Sequence, residues 1–356
     1  MLKGRDLRRA AVTTPGVMTE ERFQRLAELA ATAMDGSSGM AFVGAALELI
    51  RPGLIEPLSV VTHPRDITVT FGGGFVEYLS AYAADYGSVG FNQYGLQGTN
   101  NTDIPQVQVT VDKGTWKAVI WAASSSISDI DMKKLAAATA SGQGAPFSLQ
   151  KLIDTGVRLV WNKALDKVTY TGWLGLPGLL NNPDVVATLA PATGAGGLRT
   201  WASKTPQQIQ TDINFGLLAG VKASGYSLEG LPDTLLVDWD DYNLLTAPYV
   251  LGGIGGAASI LEYVMKNNIA SKNGVDFKVL PLSNPWIDGI GTGGTNRAFF
   301  YRNSEDNVKL HVPAPMAPAM TVPSVKDGGS YETMWNGCIA QVQWFRPQTA
   351  SYLDGI

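Results

Sequence analysis

Residues Gly253-Ile254-Gly255-Gly256-Ala257-Ala258 spell the G-x-G-x-x-A form of a dinucleotide-binding turn, and Asp276 follows near the spacing at which an acid holds a ribose hydroxyl. That chemistry needs a buried strand entering the first glycine and a helix leaving the last, so that a pyrophosphate can sit on free backbone N–H groups. Pro248 and Gly252 leave the strand little room and no chain of βαβ units surrounds it, so a plain glycine-rich loop is the better reading. Asp238, Asp240 and Asp241 bunch as cation ligands do, yet acids at a helix N-terminus explain them more simply. His311 stands in an alternating run and reads as a satisfied or half-exposed histidine rather than a general base. With His63 and Cys338 it completes the chain's His and Cys, too few for a zinc site. Walker A, G-x-S-x-G and H-E-x-x-H patterns are absent. No residue is therefore assigned a catalytic, cofactor-binding or metal role, and no cofactor is expected.

The chain that carries these residues has 356 of them, 45% hydrophobic and 16% charged, enough to bury one or two cores. Its 40 Gly and 19 Pro demand many turns without reaching a low-complexity composition. A net charge of −4 gives no overall pull toward nucleic acid, so any such contact must be local. Lys3, Arg5, Arg8 and Arg9 against Asp6 are one local excess of positive charge. A single Cys excludes an intrachain disulfide and fits a reducing compartment. No apolar h-region follows the basic start and no apolar run approaches the length of a membrane span, so a cytosolic product is expected.

Periodicity then divides the chain. Thr19 can cap a helix whose stripe of Phe23, Leu26, Ala27, Ala30 and Met34 ends at Gly36, after which Pro52, Pro57 and Pro64 interrupt further structure. Thr68–Phe71 and Val107, Val109, Val111 alternate with period two around a Gly-, Asn- and Thr-rich stretch over 87–103, which predicts a long hairpin. Its return arm continues through Trp116–Trp121, with a turn or bulge expected at Lys113-Gly114. A helix over about 129–141 precedes a longer one, capped at Ser148, whose stripe includes Leu152, Ile153, Val157, Val160, Ala164, Leu165 and Val168. Thr205-Pro206-Gln207-Gln208 is a full helix-start signature, followed by Ile209, Ile213, Leu217 and Val221 up to Gly225. Strands are expected over 234–238, 275–280, 298–301, 308–312 and 338–345, short helices over 239–246 and 258–267, and a Pro-rich loop over 313–323. Arm, hairpin and loop are appendages that gain stability chiefly by touching other molecules, which suggests a structural subunit.

Gly178-Leu179-Leu180-Asn181 after the long helix, Leu231-Pro232-Asp233-Thr234-Leu235-Leu236 leading into a strand, and the ending Arg346-Pro347 with Tyr352-Leu353-Asp354-Gly355-Ile356 are soft motifs whose order carries weight. Together with the element order they resemble the major capsid proteins of tailed double-stranded DNA phages, the Hong Kong 97 type fold. The resemblance implies an α+β phage major capsid fold in these parts: an N-terminal arm (1–65), an extended β-hairpin loop with the start of the peripheral domain (66–127), the spine helix region of that domain (128–181), an axial domain (182–300) and return strands of the peripheral domain (301–356). It also implies a shell subunit without enzymatic activity, self-assembling into pentamers and hexamers of an icosahedral head that encloses double-stranded DNA. Assembly is expected in the host bacterial cytoplasm, with separate scaffolding, portal and decoration proteins as candidate partners and no membrane. The hairpin tip, 85–104, has no Lys, so the lysine-to-asparagine crosslink of the fold's namesake is not expected. An encapsulin-type compartment shell is the alternative within the fold. A soluble α/β enzyme using the 253–258 loop is the alternative of another class.

Overall fold

The computed structural model describes residues 60–86, 109–140, 149–251, 254–325 and 329–356. The helix expected over 19–36, most of the hairpin tip and the turn over 142–146 lie outside the described residues. In chain order the elements are α1 (His63–Asp66), β1 (Val69–Phe71), β2 (Tyr78–Tyr86), β3 (Val109–Ser128), α2 (Asp129–Ala140), α3 (Leu149–Thr171), β4 (Val186–Leu189), α4 (Pro206–Ala223), β5 (Thr234–Asp238), α5 (Trp239–Thr246), β6 (Pro248–Leu251), β7 (Ile254–Ser259) and α6 (Ile260–Asn267). They continue with β8 (Lys278–Leu282), β9 (Arg297–Tyr301), β10 (Val308–Val312), β11 (Ala314–Ser324), β12 (Ser330–Ala340), β13 (Val342–Trp344) and β14 (Ser351–Asp354). The described residues 60–65, which lie within the stretch read from sequence as an arm, include His63, held to Asp166 of α3.

A five-stranded sheet in the order β4-β14-β9-β5-β8 divides the core. Because strand side chains alternate between faces, each central strand feeds two apolar clusters. Leu236, Phe299, Tyr301 and Tyr352 face a cluster with Tyr170, Leu179 and Leu180. Leu235, Val237, Ala298, Phe300 and Leu353 face another with Ile209, Ile213 and Leu217 of α4 and Val264 of α6. The start of α4 carries the capping box read from sequence: the Thr205 side chain accepts from the Gln208 N–H while the Gln208 side chain accepts from the Thr205 N–H. Gly216 lets this helix lie against the sheet, since a Cβ there would stand 2.3 Å from the Phe300 ring. The closing strand β14, grouped by sequence with the return strands of 301–356, is instead hydrogen-bonded between β4 and β9. Its buried alternation, Tyr352 to one cluster and Leu353 to the other, fits only a strand covered on both sides.

The remaining strands correct several expectations. Thr68–Phe71 is not the outgoing arm of the hairpin: β1 pairs parallel with β10, Val69 opposite Leu310, and Val69 packs on the first cluster. The outgoing arm is β2, in continuous antiparallel register with β3 from Tyr78↔Lys117 to Tyr86↔Val109. Gly114 sits opposite Ala81 with no register shift, so Lys113-Gly114 is neither turn nor bulge, and the Trp116 ring lies against the glycine. At Ala118 β3 changes partner, and its second half pairs with β12 up to Ser128. The Pro-rich stretch is no loop but strand β11, at the edge of the four-stranded sheet β11-β12-β3-β2. An edge strand has one unpaired side, where a proline's missing N–H costs nothing, and the register shifts at Ala314/Ala317 and Pro318/Met320 take up the rest. The strand expected over 338–345 is two, β12 in that sheet and β13 against β10 in another. The strand expected over 275–280 begins later, at Lys278, where pairing with Thr234 starts.

The long helix α3 runs 23 residues and stops at Gly172, whose φ of 74° and whose contact with the Leu176 carbonyl admit no Cβ. Its burial differs from the expected stripe. Val160 is 55% exposed, while Trp161 is 6% exposed and stands edge-on to Trp121 of β3 at 5.1 Å and over Gly337 of β12. Of the expected stripe Leu152, Ile153 and Val157 are half-buried, and full burial on this helix begins at Trp161 and continues at Leu165 and Tyr170.

Candidate assembly surfaces

The residues singled out for chemistry are placed in structural roles. Ile254–Ser259 is strand β7, paired antiparallel with β6 through Val250↔Gly255 and Leu251↔Ile254, so the glycine pattern is not a strand-to-helix turn. Asp276 is exposed beside Lys278 at 3.5 Å. Asp238 caps α5, its carboxylate accepting from the Asp241 N–H at 2.6 Å and from Asn296 Nδ2 at 2.7 Å. Burial, then the Asp238 charge, pushes the Asp241 carboxyl up to about 7. Among the described residues no group of three His, Cys, Asp or Glu is arranged to hold a metal ion. His311 is held on both nitrogens: Nε2 donates to the Gly72 carbonyl at 2.6 Å, which leaves Nδ1 to pair with the Thr70 hydroxyl at 2.7 Å. The buried Cys338 donates its thiol to the Val76 carbonyl at 3.5 Å.

Two buried polar networks join segments that are far apart in the chain. At the first, Asp166 of α3 accepts from the backbone N–H of His63 at 3.0 Å, from His63 Nδ1 at 2.7 Å and from the Thr62 N–H at 3.3 Å. Tyr170, one turn on, donates to Asp66 Oδ2 at 2.6 Å, Arg65 Nε pairs with Asp66 Oδ1 at 2.5 Å, and the Tyr301 hydroxyl donates to the Asp66 carbonyl. Burial, then the Asp66 charge, holds the Tyr170 phenol far above its ordinary value, so it stays a donor. Helix α1 is thus bolted to α3 and to the central sheet by partners more than 100 positions away, which no local signal in the sequence announces. At the second, Arg297 grips Asp354 with Nε at 2.6 Å and a terminal nitrogen at 2.9 Å, reaches the Leu180 carbonyl at 2.5 Å and lies over the Tyr352 ring at 4.1 Å. Burial pushes the Asp354 carboxyl up, but Arg297 and Thr292 hydrogen bonds outweigh it and set it below the usual range.

Outside these networks the molecule presents uncovered apolar surface. Directly opposed strand residues share a face, so Tyr78, Tyr82, Val109 and Val111 line one side of the β2–β3 hairpin together with Lys113 and Lys117. Tyr82 is 73% exposed and Val111 63%. On the other side Leu79 and Trp116 are half-buried at the base, where Trp116 meets Phe345 at 5.0 Å, but Ala83 and Asp112 further out are exposed. Edge strand β11 with its neighbour adds exposed Met320, Val322, Tyr331 and Met334. Beside the C-terminal end of α3, Leu174 projects at φ 44° and 80% exposure next to an apolar cleft of about 380 Å³ lined by Trp121, Val168, Trp173 and Ile339. Among the described residues no helix is long and apolar enough to cross a membrane. Contiguous exposed apolar side chains of this kind mark contact with other macromolecules.

A family model described as Major capsid protein matches residues 93–356, well over half of the chain. No curated protein sequence matches. Among solved structures, the capsid of Myoviridae phage XM1 superposes with a TM-score of 0.61 at 15% identity, covering 88% of this chain and 98% of that one. The capsid of a native GTA particle gives 0.56 at 11% identity over 90% and 98% of the two chains, and Microbacterium phage Oxtober96 gives 0.55 at 11% over 88% and 98%. Neither the compartment-shell nor the enzyme alternative is favoured by these likenesses. A mixed helix and sheet body, polar groups used for structure, and apolar surface kept for neighbours agree with the match: the chain belongs to the major capsid protein family and is a structural subunit of a tailed-phage virion shell with the Hong Kong 97 type fold.

Proposed function

We propose that this subunit assembles into pentamers and hexamers that close an icosahedral head around double-stranded DNA, with the β2–β3 hairpin laid on a neighbouring subunit. The observation that carries the reading is the row Tyr78, Tyr82, Val109 and Val111, exposed along one face of a two-stranded extension. A two-stranded hairpin is marginal in water, and large apolar side chains along it gain from a second surface. In this reading the five-stranded sheet with α4 to α6 is the axial domain, and α3 with the other sheets is the peripheral domain. The subunit works by position and contact, without catalysis or cofactor. In this reading assembly takes place in the host cytoplasm, with separate scaffolding, portal and decoration proteins as candidate partners. Negative-stain microscopy of the purified protein tests the reading: megadalton particles are expected, and a persistent monomer or dimer would overturn it. Deleting residues 85–104 is expected to leave a folded protein that assembles poorly, whereas normal particles would remove the hairpin from the interface.

A further inference from the structure

We propose that the exposed arc of α3 binds the phosphate backbone of double-stranded DNA, an inference that rests on the shell reading above. From Lys151 to Thr171 the exposed residues of this helix are Lys151, Thr155, Gly156, Arg158, Val160, Lys163 and Lys167, so every charge on the arc is positive. The acids of the same stretch are elsewhere: Asp166 is buried and taken by Thr62 and His63, and Asp154 is half-buried. None of the four basic side chains has an ion-pair partner among the described residues. On two other helices a lysine is neutralised within a turn, Lys133 by Asp129 at 2.5 Å and Lys266 by Glu262 at 2.6 Å, and exposed Lys222 at the end of α4 is a single charge rather than a row. In a chain of net charge −4, an unanswered basic arc on its longest described helix is a local exception.

Gly156 is the second observation. A glycine inside a helix costs about 1 kcal/mol relative to alanine. Nothing within 4 Å would meet a Cβ at this position, so packing among the described residues does not require the gap. A surface without side chain, flanked by Thr155 and by Lys163 two turns on, permits close approach by something outside the body. At about 1.5 Å per residue the basic positions extend over about 24 Å, a length along which one DNA strand presents about seven phosphates. Backbone binding asks only for cations and donors in reach of phosphate oxygens. An acidic protein partner would call for apolar or aromatic anchors at its centre, whereas the arc itself offers only Val160 and the apolar cleft bordered by Lys167 lies at its C-terminal end.

The test compares the full-length chain with Lys151→Gln/Arg158→Gln/Lys163→Gln/Lys167→Gln and, as a control, with Lys3→Gln/Arg5→Gln/Arg8→Gln/Arg9→Gln. A fluorescent 30-base-pair duplex is titrated with unassembled protein across a salt series, a glutamate-rich peptide is titrated in parallel, and circular dichroism and micrographs of assembled particles are taken for each variant. The helix variant is expected to keep its melting curve and its particles, to lose at least tenfold in duplex affinity at low salt, and to show a log–log salt slope shallower by about 3 to 4, one phosphate contact contributing about 0.9. Unchanged duplex binding, a loss confined to the N-terminal variant, or a loss confined to the acidic peptide would each overturn the assignment. Failure of the unaltered protein to form particles would instead strike the shell reading. Should the fourfold variant misfold, the pair Lys163→Gln/Lys167→Gln is read in its place, with an expected slope change of about 2.

Discussion

Removing the Asp166 carboxylate should detach the segment that leads into the body. This side chain, 1% exposed, is the shared acceptor for the His63 N–H at 3.0 Å, His63 Nδ1 at 2.7 Å and the Thr62 N–H at 3.3 Å. A hydrogen bond to a charged group contributes about 1.5–3 kcal/mol net, and a buried donor left alone costs its desolvation. Thr62 is half-exposed and can turn to water, so Asp166→Ala loses the two His63 bonds in full, about 3–5 kcal/mol, the range seen for breaking buried ion pairs. His63→Ala loses the ring bond but leaves the backbone donors on Asp166, about 1.5–3 kcal/mol. The double variant should then cost less than the sum of the single ones, because the shared bond can be removed only once. Urea unfolding of unassembled subunits measures the cycle, and tryptic cleavage after Arg65 reports whether α1 opens locally before the body unfolds. A change below about 1 kcal/mol for Asp166→Ala, or strict additivity in the double variant, would refute the bolt between α1 and α3.

Adjacent positions on α3 should behave oppositely: Val160→Asp, on the open side, is expected to stay within about 1 kcal/mol of the unaltered protein, whereas Trp161→Ala should cost about 3–5 kcal/mol by emptying the contact with Trp121, both read from thermal melts. The Asp241 carboxyl titrates higher in the folded state than its ordinary 3.8, so the folded protein holds more protons between about pH 4 and 7 and its stability falls as pH rises through that window. Asp241→Asn should therefore raise the melting temperature at pH 8 relative to pH 4; an equal effect at both would refute the shift. Asp354 runs the other way, its lowered value giving stability that is present above the ordinary carboxylate range and lost as pH falls through the folded value, and Asp354→Asn should remove that acid limb from the pH profile of stability. Particles boiled in detergent and run on a denaturing gel should give a main band near 37.9 kDa, and a ladder of surviving multimers would point to Lys113 or Lys117 as crosslink donors.

Signals confined to one turn or one strand were legible in the sequence. The Thr205 capping box and Asp238 at the start of α5 are set by backbone groups a few residues away, so residue type alone announces them. The 253–258 glycines could be set aside for the same reason, since the strand and helix that cofactor binding needs have to be adjacent in the chain. Which strands pair was not legible, because period two says that a residue has faces but not which neighbour covers them. Only the folded body shows that β3 exchanges β2 for β12 at Ala118, that β14 enters the central sheet, and that the prolines of β11 lie on an edge. The exposed side of α3 was misjudged at Val160 because an apolar residue type marks a candidate for burial, whereas the neighbouring Trp161 is the one that meets Trp121. The joining of Asp166 to His63 and of Arg297 to Asp354 belongs wholly to tertiary structure: each bond closes a loop of many residues, and only the burial of both partners together makes it worth its entropy.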